Sequence, residues 1–492
     1  MNRRGFLKSA GGAAAFHSLA RFHFAADPAS RRLNFVFILA DDLGWADVGC
    51  NGGDLHETPN IDRLAAKGMR FTDAYAAGPV CSPTRASIMT GKCPARLHIT
   101  IWYEGTKNPP RNRKLLPPAA VADLPLEEVT IAEVLHQAGY LTAHVGKWHL
   151  GDAAHYPETQ GFDINIGGTF WGAPSTFFYP YRGRFGSDPE FRYVPGLEWG
   201  RPGEYLTDRL TDEALKVIER AKDQPFLLNL CHHAVHTPIE GKPEVVERYR
   251  KKITPDMNHQ NEGYAAMVDS LDQSVGRVLA RLDDLGIADR TVVVFFSDNG
   301  GFINKYKERV VTNNSPLRSG KGALYEGGIR VPMIVRWPGI TKPGSVCREP
   351  VSSIDFYPTL LEMAGLSGDA RHNADVDGVS LLPLLNDPAA PLKREALYWH
   401  YPHYYPTTSP ASAIREGDWK LLEYFEDGHV ELYNLRDDLG EKNDLAAKMP
   451  EKADELRRRL AAWRKTVDAQ LPERNPDWSP PKKSPAKGKK KQ

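Results

Sequence analysis

Three short stretches of this 492-residue chain are almost wholly apolar and do not alternate: LNFVFILA at 33–40, FLLNLC at 226–231 and TVVVFF at 291–296. Each has the length of a strand, and none shows the every-second-residue pattern of a sheet with one wet face. Such runs belong in strands covered on both faces, as in a parallel sheet. Helical stretches fall at 59–68, 127–139, 207–222 and, with the clearest period, 263–285. In the last, Tyr264, Met267, Val268, Leu271, Val275, Val278, Leu279, Leu282 and Leu285 recur at steps of three and four. Residues 140–145 and 331–336 read as further strands. The repeated β-α-β order predicts an α/β fold, a mostly parallel sheet with helices on both faces.

In sheets of this kind ligands bind outside the carboxyl ends of the strands. Four of the expected strands run into polar groups there: Asp41-Asp42, Lys147 and His149, His236 (just after His232 and His233), and Asp298-Asn299. That convergence marks a candidate active site. Asp41, Asp42, Asp298 and Asn299 offer only oxygen donors, which select Ca²⁺ or Mg²⁺ over zinc. A single acid pair could equally cap a helix or close a turn, but two pairs at strand ends favour a metal.

Charge and cysteine content narrow the class. The net charge is +1, yet six lysines crowd the last eleven residues, and Arg3, Arg4, Lys8 and Arg21 lie near the start. Without those ten cations the body carries −9, which excludes a nucleic-acid-binding body. No window of 18 apolar residues occurs, so no transmembrane segment is expected. Five cysteines, scattered and without a CxxC pair, form neither a disulfide framework nor a zinc site.

One cysteine has informative neighbours. Residues 81–91 read CSPTRASIMTG; Pro83 suits a first helical turn and Gly91 a helix end, which puts Cys81 at a helix N-terminus, where anions are favoured. Cys-x-Pro-x-Arg followed by Thr-Gly resembles the signature of type I sulfatases, in which the cysteine is oxidised to Cα-formylglycine. The resemblance continues through NFVFILADDLGWADVG (34–49), ETPNIDRLAAKGMRFTDAY (57–75), GYLTAHVGKWHLG (139–151), HTP (236–238), FFSDNGG (295–301), PLRSGKGALYEGGIRVP (316–332) and ELYNLRDDLGEKNDLA (431–446). It covers nearly the whole chain and is nearest to the arylsulfatase A and N-acetylgalactosamine-6-sulfatase branch.

The resemblance implies an alkaline-phosphatase-like fold and hydrolysis of a sulfate ester. It assigns one Ca²⁺, in preference to Mg²⁺, to Asp41, Asp42, residue 81 as formylglycine, Asp298 and Asn299. It assigns Arg85, Lys147, His149, His236 and Lys321 to the catalytic set. In the implied chemistry a hydrated aldehyde attacks sulfur, His236 with Lys321 protonates the leaving alcohol, and His149 takes a proton as the intermediate collapses. RLHIT (96–100) and WHYPHY (399–404) resemble a branch acting on galactose or N-acetylgalactosamine, so His400, His403 and Tyr404 are expected to bind sugar hydroxyls. Two other readings use the same residues: a phosphodiesterase or phosphonate hydrolase of the same superfamily, and a non-catalytic binder of sulfated glycans should Cys81 stay unmodified.

The expected organisation is an export signal at 1–29, the catalytic α/β domain at 30–390, a C-terminal subdomain at 391–470 and a basic disordered tail at 471–492. The opening MNRRGFLK resembles a twin-arginine (Tat) signal. It implies a Tat translocase partner, a periplasmic or extracellular destination, and a formylglycine-generating or radical maturase acting before export. Residues 168–205 read as a long loop insertion. Aromatic-rich strands at 396–435 and a helix at 450–467 predict a small antiparallel sheet capped by a helix.

Overall fold

The computed structural model describes residues 32–186 and 189–479. The twin-arginine segment and the terminal lysines lie outside the described residues. Eight strands form the main sheet: β1 (Asn34–Ala40), β2 (Met69–Phe71), β3 (Leu141–Gly146), β4 (Ile164–Ile166), β5 (Phe226–Cys231), β6 (Thr291–Ser297), β7 (Met333–Arg336) and β8 (Ser345–Cys347). Their spatial order is β8-β2-β7-β6-β1-β5-β3-β4. Only β7 runs antiparallel to its neighbours, β6 and β2.

The unbroken apolar runs are explained by two cores, one on each face. Along β1, Val36, Ile38 and Ala40 enter one core with the Leu206–Ala221 and Glu262–Asp284 helices. Phe35, Phe37 and Leu39 enter the other, with Ile88 and Met89 of the Cys81–Thr90 helix and with Ile131, Val134 and Leu135. The helix expected at 127–139 is shorter, Ile131–Gln137, because Thr130 caps it: its hydroxyl accepts from Glu133 N and the Glu133 carboxylate accepts from Thr130 N.

Backbone bonding continues past the strand ends. Asp298 N donates to Ala40 O (3.2 Å), Asp41 N to Ala234 O (3.0 Å) and Lys147 N to Cys231 O (2.8 Å). The polar residues after β6, β1, β5 and β3 are thus tied to one another by the continuation of the sheet's own ladder. These four strands are adjacent, so their carboxyl ends share one edge.

Strands Leu397–Tyr401, Ala411–Glu416, Trp419–Tyr424 and Val430–Asn434 form the expected antiparallel sheet. One face packs on Leu456 and Leu460 of the Pro450–Thr466 helix. The other, through Trp399, Ala413 and Leu422, packs on Tyr75, Val80 and Leu324. The start of the expected tail is ordered: Glu473–Arg474 pairs antiparallel with Leu115–Leu116, and Asn475 N donates to Lys114 O (3.1 Å). Sheet bonding to a distant loop, rather than a core, holds this polar stretch.

Burial sets the acid stability. It holds His144, His232, His236 and His403 down at about 3 and His56, His149 and His400 at about 4. In an unfolded chain these rings titrate near ~6.5. Between those values the unfolded state binds protons that the fold refuses, so stability rises with pH from about 4 to about 6.5. Denaturant unfolding at pH 7, 6 and 5 should show a steady loss of stability on acidification. A flat profile would contradict it.

Candidate active site

The Cys81–Thr90 helix is buried along its whole length, so its ten residues show no amphipathic stripe. It starts at Cys81 and ends at Gly91, which takes the left-handed conformation (φ 70°). Its first residue points into the edge formed by the four strand ends. Cys81 Sγ lies 3.5 Å from Asp41 Oδ1 and 3.5 Å from Lys321 Nζ. Burial pushes the thiol up, well beyond the usual cysteine range, so the unmodified side chain stays protonated.

Around Cys81 three acids face three cations. Lys147 Nζ is 2.7 Å from Asp41 Oδ2, and Lys321 Nζ is 2.6 Å from Asp42 Oδ1. Arg85 grips Asp298 through Nε (2.9 Å) and Nη2 (2.8 Å), and its Nη1 donates to Lys147 O (2.8 Å). All six side chains are buried. Burial pushes Asp41 up to about 7. At Asp298 burial works the same way, but Arg85, with Lys147 and Lys321, overcomes it and holds the carboxyl well below the usual range.

Asn299 completes the acid cluster. Its Nδ2 donates to Asp42 Oδ1 (2.8 Å), while its buried Oδ1 has no hydrogen-bond partner. Asp42 N donates to Asp298 Oδ1 (3.2 Å). Three carboxylates and one orphaned amide oxygen are a donor set of hard ligands, and they fit a divalent cation of the Ca²⁺ or Mg²⁺ type.

Two histidines approach from different sides. His236 Nε2 is 3.6 Å from Asp42 Oδ2, and its Nδ1 lies 2.8 Å from Thr237 O. His149 Nε2 is 2.7 Å from Glu104 Oε2, and its buried Nδ1 has no partner. Glu104 is held in turn by Gly172 N (2.9 Å) and Arg192 Nη2 (3.5 Å). Burial opposes its ionisation, but His149 outweighs this and keeps it anionic. Asp42 (φ 62°) and His149 (φ 63°) both adopt left-handed backbone, a conformation that is uncommon outside glycine and concentrates at functional sites. Gly172 allows the tight seating of the ring: a Cβ there would stand 2.4 Å from His149 Cε1.

The nine side chains expected from the strand ends and the Cys81 motif, and Lys321 expected from the resemblance, therefore come together. The three expected on the C-terminal sheet do not join them. His400 is bonded to Ser412 Oγ and Gln470 O (2.7 Å each), and His403 Nε2 to Thr100 Oγ1 (2.8 Å). Tyr404 donates to Glu426 Oε1 (2.5 Å) and accepts from Leu115 N (3.1 Å). The polar atoms of His400 are taken up within the C-terminal unit, whereas the His403–Thr100 and Leu115–Tyr404 bonds join that unit to the rest of the chain. The next residue, Tyr405, reaches the site instead. It lines a cavity of about 260 Å³ with Cys81, His149, His236 and Lys321, and stands edge-on to Trp102 with ring centroids 5.7 Å apart. Glu104, Arg192, Trp102 and Tyr405 carried no sequence signal. Glu104 sits in the short Tyr103–Lys107 helix, Arg192 in the two-residue strand Phe191–Arg192, and Trp102 and Tyr405 in connecting segments. None of these is long enough to show a period, and only the aromatic density of 399–405 pointed near one of them.

A family model described as Sulfatase matches residues 33–366, and one described as N-sulphoglucosamine sulphohydrolase, C-terminal, matches 320–466. The chain is 34% identical to a sulfatase of Formosa agariphila, covering 88% of this chain and 89% of that protein. It is also 34% identical to human arylsulfatase A, covering 81% and 76%. A solved structure of Ps i-CgsB in complex with k-i-k-neocarrahexaose superposes with a TM-score of 0.75 at 31% identity, covering 91% of this chain and 94% of that one. With these likenesses running from β1 through the C-terminal helix, the chain belongs to the sulfatase family, enzymes that hydrolyse sulfuric esters on an alkaline-phosphatase-like fold.

Proposed function

We propose that this enzyme removes sulfate from a carbohydrate of the galactose or N-acetylgalactosamine type, with Cys81 oxidised to formylglycine and one Ca²⁺ held by Asp41, Asp42, Asp298, Asn299 and residue 81. The observation that carries the reading is the seat of Cys81 between Asp41 and Lys321 at the floor of the cavity. A protonated, buried thiol there is a poor nucleophile, whereas a hydrated aldehyde in its place is an oxygen nucleophile that can be regenerated. The divalent cation supplies positive charge that lowers the pKa of that hydroxyl. Three acids and three cations pair with one another, so a divalent cation held there would leave the site positive, as an anionic sulfate ester requires.

The remaining roles follow from the protein's own contacts. Lys147, Lys321 and Arg85 set cationic charge beside residue 81 for the sulfate oxygens. With Glu104 ionised, His149 carries its proton on Nε2 and presents Nδ1 as an acceptor, the state a base needs. Burial and Lys321 hold His236 down at about 3, and the negative charge of a sulfate ester beside it would raise it toward carrying a proton for the leaving alcohol. The similarity to Ps i-CgsB, solved in complex with k-i-k-neocarrahexaose, supports the carbohydrate class. The twin-arginine opening fits a Tat substrate, folded and modified at residue 81 by a maturase before release to the periplasm or beyond.

Mass analysis of the peptide containing residue 81 should show the loss expected for replacing CH₂–SH by an aldehyde. Cys81→Ala should abolish sulfatase turnover in a folded protein. An active Cys81→Ala enzyme, or an unmodified thiol in fully active enzyme, would refute the formylglycine reading.

His236→Ala should lower turnover of a sugar sulfate by roughly 10²–10⁴-fold, with a much smaller loss on nitrophenyl sulfate, whose leaving group needs little protonation. Equal losses on both substrates would transfer the acid role to Lys321.

Glu104→Gln keeps the shape but can donate its amide to His149 and reverse the tautomer. Turnover should fall about 10²-fold or more on both substrates, with a sulfated enzyme accumulating after the first burst. An unchanged steady-state rate would show that the Glu104 contact is dispensable.

A further inference from the structure

A second cluster of ligand-bearing side chains lies behind the Asp41-Asp42 turn and does not line the cavity. Asp47 closes the Trp45–Asp47 turn, His56 precedes the Pro59–Lys67 helix, and His259 precedes the Glu262–Asp284 helix. All three are buried, at 0%, 5% and 3% exposure. Asp47 Oδ1 is 3.6 Å from His56 Nδ1 and 3.2 Å from His259 Nε2, and the two imidazole centroids are 4.5 Å apart. The three donor atoms all lie within 4.8 Å of one another.

We propose that Asp47, His56 and His259 form a structural Zn²⁺ site, bound through Asp47 Oδ1, His56 Nδ1 and His259 Nε2 with water as the fourth ligand. It is separate from the catalytic centre and independent of the reaction assigned there.

Spacing supports it. Zinc bonds of about 2.0–2.1 Å in a tetrahedron set neighbouring donors about 3.3 Å apart, and the two measured separations bracket that value. Imidazole with one carboxylate suits zinc, in contrast to the oxygen-only set facing the cavity. The surroundings match those of ligating groups. His259 turns its other nitrogen, Nδ1, to Asp54, the outer carboxylate that fixes a ligating imidazole. The second oxygen of Asp47 accepts from Tyr264 Oη (2.6 Å) and Gly44 N (2.7 Å), and Thr312 Oγ1 donates to Oδ1 (2.7 Å).

The competing arrangement has no metal, with an imidazolium at His259 bridging Asp47 and Asp54. It balances one of the two carboxylate charges and leaves the buried His56 Nδ1 without a hydrogen-bond partner. A dication with two neutral imidazoles balances both charges and satisfies that nitrogen. The ion would tie together three segments distant in sequence. Tyr264 extends the tie to the catalytic turn, since its hydroxyl also reaches Asp42 O (3.2 Å).

The test uses the full chain, stripped with chelator and titrated with Zn²⁺ in excess Ca²⁺, with bound zinc measured by elemental analysis. Co²⁺ substitution should give the strong visible bands of a four-coordinate site. Wild type and Asp298→Ala are expected to bind a single zinc; His56→Ala and His259→Ala are expected to lose it, and Asp54→Asn to weaken it by about 10–100-fold. Where an alanine variant fails to fold, His56→Gln decides. Zinc binding undiminished in that variant, zinc lost in Asp298→Ala instead, or no zinc bound by wild type at micromolar free metal would each overturn the site.

Discussion

The site depends on burying three carboxylates at the carboxyl edge of the sheet. Asp41, Asp42 and Asp298 have no access to bulk water, and an unpaired buried charge is strongly destabilising. Lys147, Lys321 and Arg85 remove that cost, and each comes from a different part of the chain: the end of β3, the loop before β7, and the Cys81–Thr90 helix. The helix therefore cannot slide and the loop cannot lift without exposing an acid. The position of Cys81 follows from this pairing, because Arg85 sits one turn further along the same helix. The chemistry of the site and the stability of the sheet edge thus rest on the same contacts.

The C-terminal unit is bound to the main domain by a comparable device. Lys420 is fully buried between Glu326 (2.8 Å) and Glu441 (2.8 Å), and Glu326 also accepts from Tyr75 Oη (2.7 Å). Arg415 reaches across to Asp73 (2.8 Å). Thr407 Oγ1 donates to Lys321 O (2.6 Å), and the Tyr405 ring lies over Gly322, where a Cβ would stand 2.0 Å from Tyr405 Cδ1. The small sheet thereby buttresses the lysine that faces Cys81.

What the sequence disclosed follows a physical division. Strand runs and the residues just after them are legible because burial on two faces leaves an unmistakable apolar texture, and the polar break at its end is abrupt. The 263–285 helix is legible because it packs one face against the sheet. Glu104 is not, since a single acid in the five-residue Tyr103–Lys107 helix, too short to show a period, looks the same whether it faces water or a histidine. His400, His403 and Tyr404 stand away from the cavity wall, and they drew notice for the reverse reason: polar and aromatic side chains crowd equally at binding sites, within small sheets and at polar seams between packed units. The RLHIT and WHYPHY segments do meet, through Thr100 and His403, and what they build is such a seam.

The aperiodic segment 168–205 supplies Gly172, Ala173, Phe185 and Arg192 to the cavity wall. Within it the strand pairing among the described residues is limited to a two-residue ribbon, Gly183–Arg184 with Phe191–Arg192, and a single antiparallel bridge between Phe178 and Tyr205. Surface loops of this kind can lengthen or shorten at small entropic cost. The residues proposed to break the ester bond are fixed by the sheet edge, whereas the cavity wall beyond them comes from a stretch with little strand pairing of its own. Inheritance can therefore act on the two separately. A lineage can acquire a new sulfate ester by redrafting one loop while leaving its bond-breaking apparatus untouched, so relatives on this scaffold should diverge in substrate faster than in mechanism.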